Sequence, residues 1–174
     1  MKGKILLTGA SGFIGEHCVL DLLANDYDVV GTLRNPSREK TLRTNISKYG
    51  FDNSRIKYKH ADLRQSDEIY ASMKGCDAVF HVASPVPIAQ PKDSSEIIEV
   101  ARQGTLNVLE AAVTRGIKRV ILTSSVATIF GEGGKREIYN SSDWTNPEEK
   151  KLTPYTLSKT LAEKAAWDFI NDQE

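Results

Sequence analysis

Tyr155 and Lys159 stand four residues apart in Tyr155-Thr156-Leu157-Ser158-Lys159, within a stretch that reads as helix, so a phenol and an ammonium share one face. A cation there favours the phenolate and makes the tyrosine usable as a proton donor and acceptor. Proton transfer by a positioned side chain is worth about 10²- to 10⁴-fold in rate. An ordinary surface pair has the same spacing, so the inference needs a second feature. That feature is Gly9-Ala10-Ser11-Gly12-Phe13-Ile14-Gly15, which follows a strand-length apolar run and opens a helix. In that context Gly9 permits a tight turn, Gly12 lets backbone approach a pyrophosphate, and Gly15 lets helix and strand pack closely. The helix N-terminus offers its N–H groups to phosphate. The chemistry expected is dinucleotide binding, with Ser11, Phe13 and Ile14 carried in the same loop.

The end of the second strand discriminates between dinucleotides, because an acidic side chain there accepts a ribose 2′-hydroxyl and an arginine accommodates a 2′-phosphate. Here it reads Thr32-Leu33-Arg34-Asn35, while Asp26 and Asp28 lie at the opposite end of that strand. NADP(H) is therefore expected in preference to NAD. Arg34 is the expected phosphate ligand, with Arg38 and Lys40 as further contacts.

Apolar runs of strand length alternate with segments of helical period, which predicts an α/β, Rossmann-type doubly wound parallel sheet. The strands expected are Lys4–Thr8, Asp28–Leu33, Arg55–His60, Ala78–Val82 and Arg119–Thr123. Right-handed crossovers give the order 3-2-1-4-5, with a ligand crevice beyond the carboxyl ends of the first and fourth strands. The alternation Ile56/Tyr58/His60 puts the third strand near an edge. Ile14/Cys18/Leu22 marks one helix. Ile97/Val100/Ala101/Val108/Ala112 marks a long one, opened by Asp93-x-x-Glu96 as a capping box and closed by Gly116. Gly131–Leu152 reads as a long loop of the kind that carries function. Thr153 then caps a last helix with Pro154 at its first position.

With 174 residues, 40% hydrophobic and 26% charged, the chain is expected to be a single soluble domain, residues 1–174. Lys+Arg and Asp+Glu both number 23, so no net field favours nucleic acid or an anionic membrane. Met1-Lys2-Gly3-Lys4 runs into an apolar stretch too short for a signal sequence, and no later stretch is long enough to span a bilayer; a cytoplasmic protein is expected. Cys18 and Cys76, and His17, His60 and His81, show no metal-ligand spacing, so no metal is expected. Trp167 is expected in the core, and Trp144 either anchors the long loop or touches a ligand.

The glycine spacing joined to Tyr155-x-x-x-Lys159 resembles the extended branch of the short-chain dehydrogenase/reductase superfamily. Leu33-Arg34-Asn35-Pro36, His81-Val82-Ala83-Ser84-Pro85, Leu122-Thr123-Ser124-Ser125 and Tyr155-x-x-x-Lys159-Thr160-Leu161-Ala162-Glu163 look like its dihydroflavonol reductase, cinnamoyl-CoA reductase and yeast-type aldehyde/ketone reductase group. The resemblance implies hydride transfer from NADPH to a small-molecule carbonyl, with Tyr155 giving the proton and Lys159 also holding the nicotinamide ribose. Ser125 would hydrogen-bond the carbonyl oxygen, with Ser124 as its competitor. Asp62 and Leu63 would flank the adenine. Val82, Ala83 and Ser84 would line the pocket near the inner ribose and nicotinamide, and Thr123 is a further cofactor contact.

Extended reductases continue past the Tyr/Lys helix into further strands and a substrate-closing lobe, whereas this chain stops at Asn171-Asp172-Gln173-Glu174. The C-terminal strands and substrate lobe are therefore expected to be missing, leaving apolar surface exposed on the fifth strand and last helix. Three readings stay open: an NADPH-dependent aldehyde or ketone reductase or its N-terminal part, a nucleotide-sugar epimerase or dehydratase, and a non-catalytic dinucleotide-binding domain. The partners expected are a carbonyl or alcohol substrate, no nucleic acid and no membrane, in a monomer or homodimer.

Overall fold

Parallel neighbours need a crossover that returns the chain to the same end of the sheet, and the helical segments between the strands supply it. The computed structural model describes residues 2–86, 94–133 and 136–173. Its strands are β1 (Gly3–Thr8), β2 (Tyr27–Leu33), β3 (Ile56–His60), β4 (Ala78–His81) and β5 (Val120–Leu122). Its helices are α1 (Phe13–Ala24), α2 (Glu39–Lys48), α3 (Ser66–Ser72), α4 (Ser95–Thr114), the single turn α5 (Ala127–Phe130) and α6 (Pro154–Asn171). The five strands form one sheet in the order β3-β2-β1-β4-β5, with every pairing parallel. This is the doubly wound order expected, with β3 at an edge. The register sets Leu33 beside His60, Thr8 beside His81 and His81 beside Leu122, which brings the turns after all five strands to one end of the sheet.

By its contacts the chain falls into two compact units, Met1–Ala83 with Asn107–Thr123, and Ser84–Leu106 with Ser124–Glu174. The first holds the whole sheet. Leu6 and Leu7 are both 0% exposed although they point to opposite faces, which requires both faces to be covered. Leu7, Val29, Leu33 and Ile56 pack with Val19, Leu22 and Leu23 of α1 and Leu42 and Ile46 of α2. Leu6, Val30 and Val79 pack on the other face with Ile69 of α3 and Val108, Ala111 and Ala112 of α4. Burying one such side chain stabilises the fold by about 1.5–3 kcal/mol. The carboxyl end of α4 closes as expected at Gly116, whose φ of 70° lets its N–H reach Val113 O and the next N–H reach Ala112 O. Asp93, the other half of the expected capping box, lies outside the described residues.

The second unit is organised around the start of α6. Thr153 accepts from Thr156 N–H at 3.2 Å and Pro154 takes the first position, as expected. Glu132 reinforces this end by accepting from Thr153 N–H at 2.9 Å and Thr156 Oγ1 at 2.6 Å. In the long loop, Thr145 N–H donates to Thr128 O at 2.8 Å and its hydroxyl to Ala127 O at 2.7 Å, so the loop is tied to α5. Trp167 departs from expectation: it is 55% exposed rather than in the core. The buried face of α6 ends at Ala165 and Ala166, and Trp167, Asp168 and Ile170 in the turn beyond are exposed. The apolar exposure expected on the fifth strand is present at Ile121. Among the described residues no helix is long and apolar enough to cross a membrane.

Candidate active site

The glycine loop leaves β1 at Gly9, whose φ of 73° lies in the left-handed region, and a Cβ there would meet Ala83 Cα at 2.9 Å. Both facts restrict the position to glycine. Gly12 N–H donates to Gly9 O at 3.0 Å and Ala10 N–H to Thr32 O at 3.2 Å, which fold the loop back onto the sheet. Gly15 is restricted more severely, since a Cβ would lie 2.1 Å from Gly9 O. Gly12 differs: its φ is −81° and a Cβ would meet only Gly9 O, at 3.4 Å. The fold does not require glycine at position 12. The helix N-terminus that follows has no side-chain cap, and Phe13, 82% exposed, stands edge-on to His17 beside it. A helix start of this kind is an anion site in waiting.

At the carboxyl end of β2, Arg34 is exposed, and Arg38 is exposed on the short turn Pro36–Arg38 that Asn35 caps. Asp26 and Asp28 lie at the amino end, paired with Arg55. Asp62 follows β3 and is chelated by Arg64 through Nε at 3.0 Å and Nη2 at 2.7 Å. Those bonds hold its carboxyl down at about 2, against the opposing pull of burial, and the Arg34 charge acts in the same direction as Arg64. Leu63 O accepts from Asn107 Nδ2 at 2.7 Å.

After β4, Val82 and Ala83 N–H both donate to Thr8 Oγ1 at 3.1 Å. With its lone pairs taken, the Thr8 hydroxyl gives its proton to Nδ1 of the buried His81, 2.8 Å away. This brace was not foreseen. It locks β1 to the β4 turn. Thr123 N–H donates to His81 O at 3.0 Å, which sets the end of β5 against the same strand.

The second unit holds Ser84, Ser124, Ser125, Tyr155 and Lys159. Ser84 and Tyr155 are half-buried. Tyr155 and Lys159 lie one turn apart on α6, and Lys159 is only 6% exposed. Burial pushes its ammonium below the usual lysine range, and the Glu163 carboxylate pulls it back up. The two serines differ in use. Ser124 donates to Glu163 Oε2, whereas Ser125 Oγ accepts from Ala127 N–H at 3.2 Å, a bond that leaves the Ser125 proton to give elsewhere. Glu163, to which sequence reasoning assigned no role, is thus bonded to Ser124.

The fold recurs in known proteins. Residues 5–174 match the NAD dependent epimerase/dehydratase family. The chain is 41% identical to tetraketide alpha-pyrone reductase 1 of Arabidopsis thaliana over 98% of its own length and 54% of that protein's. It is 35% identical to dihydroflavonol 4-reductase of the same plant over 99% and 46%. It superimposes on Gre2 of Candida albicans in complex with NADPH with a TM-score of 0.81 at 29% identity, covering 98% of this chain and 54% of that one. It spans about half the length of the curated relatives it matches. The chain belongs to the NAD dependent epimerase/dehydratase family, within the extended short-chain dehydrogenases/reductases.

Proposed function

We propose that the chain is the nucleotide-binding and proton-transfer part of an NADPH-dependent reductase that turns an aldehyde or ketone carbonyl into an alcohol. The observation that carries this reading is the presence, in one chain, of an uncapped helix start behind the glycine loop and a buried lysine one turn beyond a tyrosine. The residues present suit NADPH. Ser11, Gly12, Phe13, Ile14 and Gly15 would hold the pyrophosphate, and Arg34, with Arg38 and Lys40, the 2′-phosphate. Asp62 and Leu63 would flank the adenine, and Val82, Ala83, Ser84 and Thr123 the inner ribose and nicotinamide. The Candida albicans relative is described in complex with NADPH.

When bound, NADPH supplies the hydride. Tyr155 gives its proton to the carbonyl oxygen, and the Lys159 ammonium stabilises the phenolate left behind. Ser125, whose hydroxyl proton is not spent on Ala127, hydrogen-bonds the same oxygen and steadies its developing charge. Ser124, engaged with Glu163, is the weaker candidate for that role.

The family description favours one second reading, epimerisation or dehydration of a nucleotide sugar. Reductase relatives and Arg34 at the end of β2 argue against it. The test is NADPH consumption across a panel of aldehydes and ketones. Net oxidation of NADPH, reduced about 100-fold or more in Tyr155→Phe, is expected. An epimerase consumes no nucleotide, and a Tyr155→Phe variant as fast as the parent refutes the assigned proton donor.

A further inference from the structure

Leu33 pairs with His60, and Ala61 N–H donates to Leu33 O at 3.2 Å, so Arg34 and Asp62 leave β2 and β3 side by side at the carboxyl end of the sheet. Their surroundings differ. Among the described residues no hydrogen bond or ion pair engages the Arg34 guanidinium. Carboxylates of the neighbouring segments have partners of their own: Glu39 pairs with Arg43 at 2.8 Å, and Glu68 accepts from Asp62 N–H at 2.9 Å. The Asp62 carboxylate belongs to Arg64.

Three bonds join them. Arg64 N–H donates to Oδ1 at 2.9 Å, Nε to Oδ1 at 3.0 Å and Nη2 to Oδ2 at 2.7 Å. A guanidinium that meets both carboxylate oxygens fixes their direction as well as their charge. The Asp62 side chain is 14% exposed and that of Arg64 55%, so the acid is enclosed and the base covers it. The Arg34 charge also reaches Asp62, although no bond joins the two. Remove Arg64, and the attraction between that cation and that anion is left unopposed. A carboxylate released there would also repel a phosphate and suit a ribose 2′-hydroxyl instead.

We propose that Arg64 is a positioning residue that sets dinucleotide preference: by chelating Asp62 it keeps that carboxylate off Arg34 and leaves the Arg34 guanidinium open to a 2′-phosphate. The proposal rests on the reading of this end of the sheet as an NADPH site. It adds to that reading a residue that acts through Asp62 and not by touching the dinucleotide.

The test is fluorescence titration of the intact chain with NADPH and with NADH, read as the ratio of the two Kd values. In Arg64→Ala the preference for NADPH is expected to fall about fivefold or more, through weaker NADPH binding with NADH little changed. Arg64→Lys, which keeps the charge but not the fork, recovers part of that preference. Arg64→Ala joined to Asp62→Asn restores it, because no carboxylate then competes for Arg34. Both nucleotides weakened alike, which is what a merely structural role produces, overturns the proposal, as does a double variant no more selective than Arg64→Ala. Should circular dichroism show Arg64→Ala unfolded, Asp62→Asn decides: it is expected to keep or raise the NADPH preference, and a fall overturns the proposal equally. A parent that binds neither nucleotide sinks the NADPH reading and the proposal with it, whereas a parent that prefers NADPH and keeps that preference in Arg64→Ala sinks the proposal alone.

Discussion

Gly12, at the N-cap of α1, and Gly15, in the first turn of that helix, are glycine for different reasons, and alanine at each is expected to separate folding from ligand binding. At Gly15 the added Cβ would sit 2.1 Å from Gly9 O and 2.9 Å from Gly9 C, both backbone atoms of the glycine loop. Overpacking against backbone costs about 1–3 kcal/mol or more. In a chain of this size that lowers Tm by about 2–4 °C per kcal/mol. At Gly12 the nearest contact is 3.4 Å and the φ of −81° suits alanine. Losing a glycine cap costs about 1 kcal/mol at most, and the stiffer unfolded chain returns about 0.4–1 kcal/mol. Gly12→Ala is therefore expected to melt within about 4 °C of the parent. Its methyl group would, however, stand where the proposed pyrophosphate approaches the backbone. Loss of about two charge-assisted hydrogen bonds at about 1.5–3 kcal/mol each raises the Kd for NADPH about 100-fold or more. Melting curves and fluorescence titrations of both variants check this. Gly12→Ala binding NADPH as the parent does, or melting as low as Gly15→Ala, refutes the reasoning.

Other outcomes follow from the same geometry. Arg34→Ala is expected to weaken NADPH about 10- to 100-fold while leaving NADH little changed, because it removes a charge-assisted partner of the 2′-phosphate alone; paired titrations measure the ratio. Asp62 is held at about 2 by Arg64, below the value near 4 of an unfolded aspartate, so its contribution to stability is complete above about pH 4 and is lost as the pH falls toward 2. In Arg64→Ala the Asp62 carboxyl returns toward its unfolded value, so the variant is expected to be less stable near neutral pH and to lose less stability between about pH 4 and 2, which melting curves across the acid range detect. Thr153→Ala removes the cap of α6 and is expected to cost about 1 kcal/mol, or about 2–4 °C in Tm, by thermal melting.

The parts of this molecule legible in the sequence are those whose cause is local. Five strands and their order could be read because runs such as Ile5-Leu6-Leu7 are buried on both faces, and the residues between them repeat with helical period. The α6 start was legible in Thr153 and Pro154, and the α4 end in Gly116, since caps and left-handed turns depend on a few adjacent residues. Helices α2 and α3 were not separately foreseen. Each buries only two residues, Leu42 and Ile46 in one and Ile69 and Ser72 in the other, too few to make a periodic signal. The connections missed join distant positions. Thr8 and His81 are 73 residues apart and Ser124 and Glu163 are 39 apart, and no spacing rule ties a hydroxyl to a partner at such range. Trp167 was misplaced because helical period gives the direction of a side chain and not how far the neighbouring cover extends.

On the proposed function, the glycine loop and the end of β2 together hold a pyridine dinucleotide carrying a 2′-phosphate. Fluorescence titration of the purified chain with NADPH and with NADH tests it most directly. Saturation by NADPH below about 1 mM, with binding of NADH about tenfold weaker or more, is the expected result. Absence of a saturable signal with either nucleotide, or equal affinity for the two, contradicts it.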